Sequence, residues 1–185
     1  SRNCAKNCRM PDDPSVCERC WLDWKACTCP PMAPGPTTRD MVGKGPLILI
    51  DQREQAPLKF TTPSERVLLP CGDYSLRGLS AEVAIERKSL PDLVACCGKE
   101  RARFIEQIER MRQFRFRALV VESRLSHASA GIYRSNMNPL SVLGTLIKVA
   151  HDLEVPVWMA ESPAGAAELV ERMLLREFKL ARKAT

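Results

Sequence analysis

Apolar and polar positions between Leu47 and Thr185 follow two periods, one suited to strands and one to helices. LILID (47–51) is a short apolar run that ends in a carboxylate, and ERVLLP (65–70) reads as the next strand. Gly72-Asp73-Tyr74 predicts a tight bend. AEVAIERK (81–88) alternates as a strand and ends in charges. Ser89-x-x-Asp92 has the form of a capping box that opens a helix. In 99–114, Phe104, Ile105, Ile108 and Met111 recur at helical spacing. RALVVE (117–122) is a further buried strand ending in a carboxylate. Asn138-Pro139 suits the N-cap and first position of a helix running to about Leu153. VPVWMA (155–160) predicts a last strand, and Ser162-Pro163 opens a final helix with Leu169, Met173 and Leu174 on its apolar face. Strands alternating with helices predict an α/β sheet covered by helices.

Ahead of this region the pattern changes. Residues 30–46 (PPMAPGPTTRDMVGKGP) carry too much proline and glycine for a helix or central strand and predict a linker. Residues 1–29 form a Cys-rich head. The expected organisation is therefore a head (1–29), a linker (30–46) and an α/β domain (47–185). No apolar run approaches the roughly 20 residues needed to span a bilayer, so no membrane partner is expected. Ser1–Asn3 opens no apolar leader, and the expected location is intracellular. An intracellular chain keeps its thiols reduced. The head's six cysteines, Cys4, Cys8, Cys17, Cys20, Cys27 and Cys29, then read as ligands of a structural Zn²⁺ before they read as disulfides. Two close thiol pairs around a short loop suit a tetrahedral site.

Charge adds one constraint. The net charge is +6, and most of the excess falls in residues 46–185, with 21 basic and 17 acidic side chains. This favours a polyanionic partner. The residues that name a chemistry lie in one run: Gly72-Asp73, then Glu86-Arg87-Lys88, then Asp92. Glu86 and Lys88 stand two apart on a strand, so their side chains leave the same face. Asp73 follows a glycine that can turn the backbone toward that face. Two carboxylates about 4 Å apart repel by about 4 kcal/mol at an effective dielectric near 20. A hard divalent cation, Mg²⁺ or Mn²⁺, relieves that repulsion. It can polarise a phosphodiester and acidify a bound water, with Lys88 beside it to orient the water and stabilise developing charge.

The run Gly-Asp…Glu-Arg-Lys-x-x-x-Asp resembles the XPF-type nuclease domain, a branch of the PD-(D/E)XK restriction-endonuclease-like fold. The likeness extends over roughly residues 47–178. It takes in Asp51-x-Arg53-Glu54, Arg103-Phe104-x-x-Gln107, Val120-Val121-Glu122, Ile132-Tyr133-Arg134 and Val155-Pro156. The resemblance implies a restriction-endonuclease-like central mixed sheet flanked by helices. It implies Asp73 and Glu86 as metal ligands, Lys88 as the catalytic lysine and Asp51 near the metal. Glu54, Arg87 and Asp92 orient those groups or touch phosphates, and Arg53, Arg103 and Gln107 face DNA. The implied activity is cleavage of branched DNA (flaps, forks and junctions) by a homodimer. The family's tandem helix-hairpin-helix and helicase domains are missing from the pattern, so a stand-alone nuclease domain is expected. Two rivals remain: a catalytically inactive DNA-binding partner in a nuclease complex, and a zinc-based adaptor that needs only its head.

Overall fold

The computed structural model describes residues 45–184. The candidate zinc ligands Cys4, Cys8, Cys17, Cys20, Cys27 and Cys29, and nearly all of the linker, lie outside the described residues. Among the described residues, six strands form one mixed sheet in the order β2-β1-β3-β4-β5-β6. They are β1 (Ile48–Asp51), β2 (Ser64–Val67), β3 (Tyr74–Leu76), β4 (Val83–Lys88), β5 (Phe116–Val121) and β6 (Val157–Met159). β3 runs antiparallel to both β1 and β4. The pairs β1–β2, β4–β5 and β5–β6 are parallel. The helices are α1 (Leu90–Cys96), α2 (Arg101–Met111), α3 (Leu125–Ser129), α4 (Pro139–Ile147) and α5 (Pro163–Ala184), with a π-helical turn (Lys148–Asp152) continuing α4.

The two faces of the sheet carry separate cores, and the period of two along each strand sorts residues between them. Ala84, Leu119 and Val121 pack with Leu93, Phe104, Ile108, Val142 and Leu146 from α1, α2 and α4. Val83, Ile85, Ala118 and Val120 pack on the other face against Ala166, Val170, Leu174 and Phe178 of α5. Those four α5 residues recur every fourth position, which keeps them on one stripe. Each of the larger three contributes about 1.5–3 kcal/mol on burial. Because both faces are covered, Val83–Ile85 of β4 and Ala118–Val121 of β5 read as continuous apolar runs. On that parity Glu86 and Lys88 continue the row of Ala84, toward α1 and α2. Arg87 continues the row of Val83 and Ile85, toward α5.

Two helix starts match their expected chemistry. The Ser89 hydroxyl accepts from the Asp92 N–H at 3.3 Å, and Asn138 Oδ1 accepts from the Leu140 N–H at 2.9 Å. Three features differ from expectation. The strand at 65–70 is Ser64–Val67, cut short before Pro70. The bend at 72–74 leads into a short strand, β3. The helix expected to run to Leu153 changes to π-helical winding at Lys148.

Gly72 joins fold to site. It has φ +74°, and a Cβ there would lie 2.9 Å from the Ile85 carbonyl oxygen. The close approach lets the Asp73 N–H donate to that same carbonyl at 2.8 Å. Gly45 also has positive φ (+89°), but its missing Cβ faces open space. Gly72→Ala is expected to lower stability by more than the roughly 1–2 kcal/mol of left-handed backbone strain. Gly45→Ala should cost no more than that strain. Urea unfolding of both variants checks this, and equal losses would show that the contact with Ile85 is unimportant.

Candidate active site

A cleft of about 510 Å³ opens at the charged end of β4, lined among others by Asp51, Glu54, Asp73, Glu86, Lys88, Asp92, Arg103, Gln107 and Arg110. β4 brings Glu86 and Lys88 to it on one face. The turn through Gly72 brings Asp73 beside them, and α2 forms a wall. Glu86 is 1% exposed, and both of its oxygens are held. Lys88 Nζ lies 2.7 Å from Oε1, and the Gln107 amide donates to Oε2 at 2.7 Å. Asp73 Oδ2 accepts from the Arg87 backbone N–H at 2.8 Å. No hydrogen bond to Asp73 Oδ1 is found among the described residues. Lys88 also lies over the Phe104 ring, 6.0 Å from its centroid.

These contacts set the site's electrostatics. Burial, and then the Glu86 carboxylate, push the Asp73 carboxyl up to about 8. Burial also raises Glu86, although Lys88 and Gln107 pull the other way. Burial alone would lower Lys88, but the Glu86 carboxylate outweighs it and holds the ammonium above its ordinary value. The site thus keeps two carboxyl groups near each other where water is scarce.

Among the described residues no three His, Cys, Asp or Glu side chains form a ready-made metal cage. Asp73 and Glu86 nevertheless fit a hard divalent cation. They are oxygen donors, Asp73 keeps a carboxylate oxygen unbonded, and each Glu86 oxygen retains a second lone pair. A site with two carboxylates, completed by water and substrate oxygens, suits Mg²⁺ better than a closed protein cage does.

The other expected site residues have more specific positions. Asp51 lines the cleft, but its carboxylate accepts from the Arg53 backbone N–H, both ends of the Arg53 guanidinium and the Leu69 N–H, at 2.7–2.8 Å. That leaves Asp51 as the anchor of the 51–69 segment rather than a free ligand. The same bonds fix Arg53 at the cleft, with its side chain 64% exposed. The Arg87 guanidinium, on the α5 side of the sheet, makes a bidentate pair with Glu122 at 2.7 and 2.8 Å. Glu54 Oε1 stands 3.6 Å from it. The cluster ties β4 to the end of β5 and to the loop after β1. Asp92 lines the cleft while its Oδ2 accepts from the Ser89 hydroxyl at 2.6 Å, so capping and cleft roles coexist. Arg103 and Gln107 both line the cleft, and Gln107 directs its amide at Glu86.

The sequence pattern does not single out Arg110, and it marks Glu122 only as the carboxylate that ends a strand. Helical spacing held the first signal: Arg110 stands three residues after Gln107 and seven after Arg103, on the same side of α2. No local pattern announces the Glu122–Arg87 pair, which joins residues 35 positions apart.

The ERCC4 domain family model matches residues 50–173. A solved structure of XPF from Aeropyrum pernix in complex with DNA superposes with a TM-score of 0.59 at 21% identity, covering 72% of this chain and 66% of that one. A second solved structure of XPF from Aeropyrum pernix gives a TM-score of 0.58 at 20% identity, covering 71% of this chain and 61% of that one. The chain thus spans less than two thirds of either structure's length, and at these identities the likeness establishes the fold. No curated protein matches the chain.

The raised Asp73 carboxyl gives a stability test. Its folded value exceeds the ordinary 3.8, so its stabilising contribution is complete at low pH and is lost as pH rises toward about 8. Without divalent ions, Asp73→Asn, which keeps the acceptor for the Arg87 N–H, is expected to match the parent near pH 4. It should melt higher near pH 8, by roughly 2–4 °C per kcal/mol of relieved repulsion. Thermal unfolding in a chelator across that range checks it. A variant less stable than the parent at pH 8 would refute the electrostatic account.

Proposed function

Because this chain belongs to the ERCC4 domain family, we propose that it is a Mg²⁺- or Mn²⁺-dependent endonuclease that hydrolyses DNA phosphodiesters at branched structures such as flaps and forks. One observation carries the reading: Asp73, Glu86 and Lys88 meet in a single cleft, with Arg103 and Arg110 on its wall. When bound, the cation supplies Lewis acidity and an activated water. Asp73 and Glu86 hold it. Lys88, cationic at neutral pH, orients the attacking water and stabilises negative charge developing at phosphorus. Arg53, Arg103 and Arg110 hold neighbouring phosphates, with affinity that falls as salt rises. Arg87, Glu54 and Glu122 keep the end of β4 in register and act through it. Asp51 acts through the segment it anchors.

The working unit in this reading is a homodimer. On α4, Leu140 and Ile147 stand one heptad apart and are 74% and 63% exposed. A second copy covers such a face at little cost in polar desolvation. In this reading the six cysteines of residues 1–29 bind a structural Zn²⁺. Among the described residues no helix is long and apolar enough to cross a membrane.

The rival reading, an inactive DNA-binding partner, need not keep Asp73, Glu86 and Lys88 together. Cleavage of flap, fork, four-way and linear DNA with Mg²⁺ or Mn²⁺ separates the two, with Glu86→Ala as the control. Lys88→Ala is expected to retain Mn²⁺ and DNA binding but lose turnover by about 10²–10³-fold. Full turnover in that variant would remove Lys88 from the mechanism, and DNA binding without cleavage by the parent would favour the partner role. Ile147→Glu should shift the protein from dimer to monomer in sedimentation. A dimer unaffected by that change would place the interface elsewhere.

A further inference from the structure

Glu86 is the most deeply buried of the charged groups in the cleft, and its carboxylate can turn about its last side-chain bond. Of the two donors that hold it, Lys88 is the one the reaction needs elsewhere: an ammonium that orients water cannot also stay committed to Oε1. Gln107 has no such competing task. It sits on α2 between Phe104 and Ile108, which are buried in the sheet's core, so its backbone is fixed. Its amide N–H reaches Glu86 Oε2 at 2.7 Å from a neutral side chain. A neutral donor at this point has a specific value. It satisfies one oxygen of a buried carboxylate without adding a positive charge that would compete with a divalent ion.

We infer that Gln107 is the positioning residue of this site, fixing the rotation of the Glu86 carboxylate so that it faces the cation while Lys88 is released toward the water. The inference rests on the metal-dependent reading above, and it gives Gln107 a task distinct from the DNA contact that its motif suggests. Gln107→Met keeps the length and bulk but removes the donor. Loss of a hydrogen bond to a metal ligand typically costs 10–100-fold in metal affinity or activity. Arg103 and Arg110 remain in place, so the DNA-facing surface is unaltered.

The experiment measures Mn²⁺ affinity by calorimetry, DNA binding without metal, and kcat and KM on a forked duplex. It compares the full chain with Gln107→Met, Gln107→Ala and an exposed control, Gln113→Met. The expected result is Mn²⁺ affinity weakened about 10–100-fold and kcat lowered at saturating DNA in both Gln107 variants. Metal-free DNA binding and KM should be unchanged, and Gln113→Met should match the parent. If Gln107→Met fails to fold, Gln107→Ala carries the same test. Variants with parental Mn²⁺ affinity and kcat overturn the inference and leave the nuclease reading intact. A raised KM with unchanged kcat and Mn²⁺ affinity also overturns it, in favour of a direct DNA contact. A parent chain that takes up no Mn²⁺ overturns both readings.

Discussion

A carboxylate taken out of water must be paired or protonated, and the site is organised around one that is paired. Glu86 is 1% exposed at the charged end of an otherwise apolar strand. Its burial costs several kcal/mol unless its oxygens are satisfied. Lys88 and Gln107 satisfy them, and Asp73 makes the burial harder by adding a second carboxyl group nearby. The fold tolerates this strain because β4 is held on both sides, by β3 through the approach at Gly72 and by β5 along its whole length. A divalent cation held between the two carboxyl groups would relieve that repulsion. The cost falls on the stability of the metal-free protein.

The alternation of β4 divides the labour within Glu86-Arg87-Lys88. The two outer residues face α1 and α2 and line the cleft. The middle residue faces α5 and spends its guanidinium on Glu122, with Glu54 close by. Arg87 is therefore far more constrained than a surface arginine, although it approaches the cleft through its backbone. That backbone matters, since its N–H holds Asp73 Oδ2 at 2.8 Å. One residue thus braces the strand with its side chain and aims a neighbouring carboxylate with its main chain.

Much of this was legible in the chain itself, wherever the information is local. The period of two placed Glu86 and Lys88 together, the glycine before Asp73 marked the turn, and Ser89 and Asn138 marked helix starts. What was not legible depends on partners far away in sequence or on very short elements. β3 spans only Tyr74–Leu76, too few residues to show a period. α3 is five residues long, and its Leu125 is exposed, so no apolar stripe announces it. Asp51 ends an apolar strand in the manner of a metal ligand. Only the structure shows Arg53 and Leu69 using its lone pairs.

Helix α2 explains how a small domain supports both core and chemistry. Phe104, Ile108 and Met111 bury one side of the helix against the sheet, while Arg103, Gln107 and Arg110 look into the cleft from the adjoining side. In each case the cleft residue is the immediate neighbour, in sequence, of a core residue. A turn of about 100° per residue moves a side chain from the core to the edge of the cleft without any change in backbone. The geometry of the polar groups is therefore inherited from apolar packing. A conservative change at Ile108, buried in the core, would shift Gln107 and its bond to Glu86. Precision at the carboxylates comes from the rigidity of the hydrophobic layer behind them.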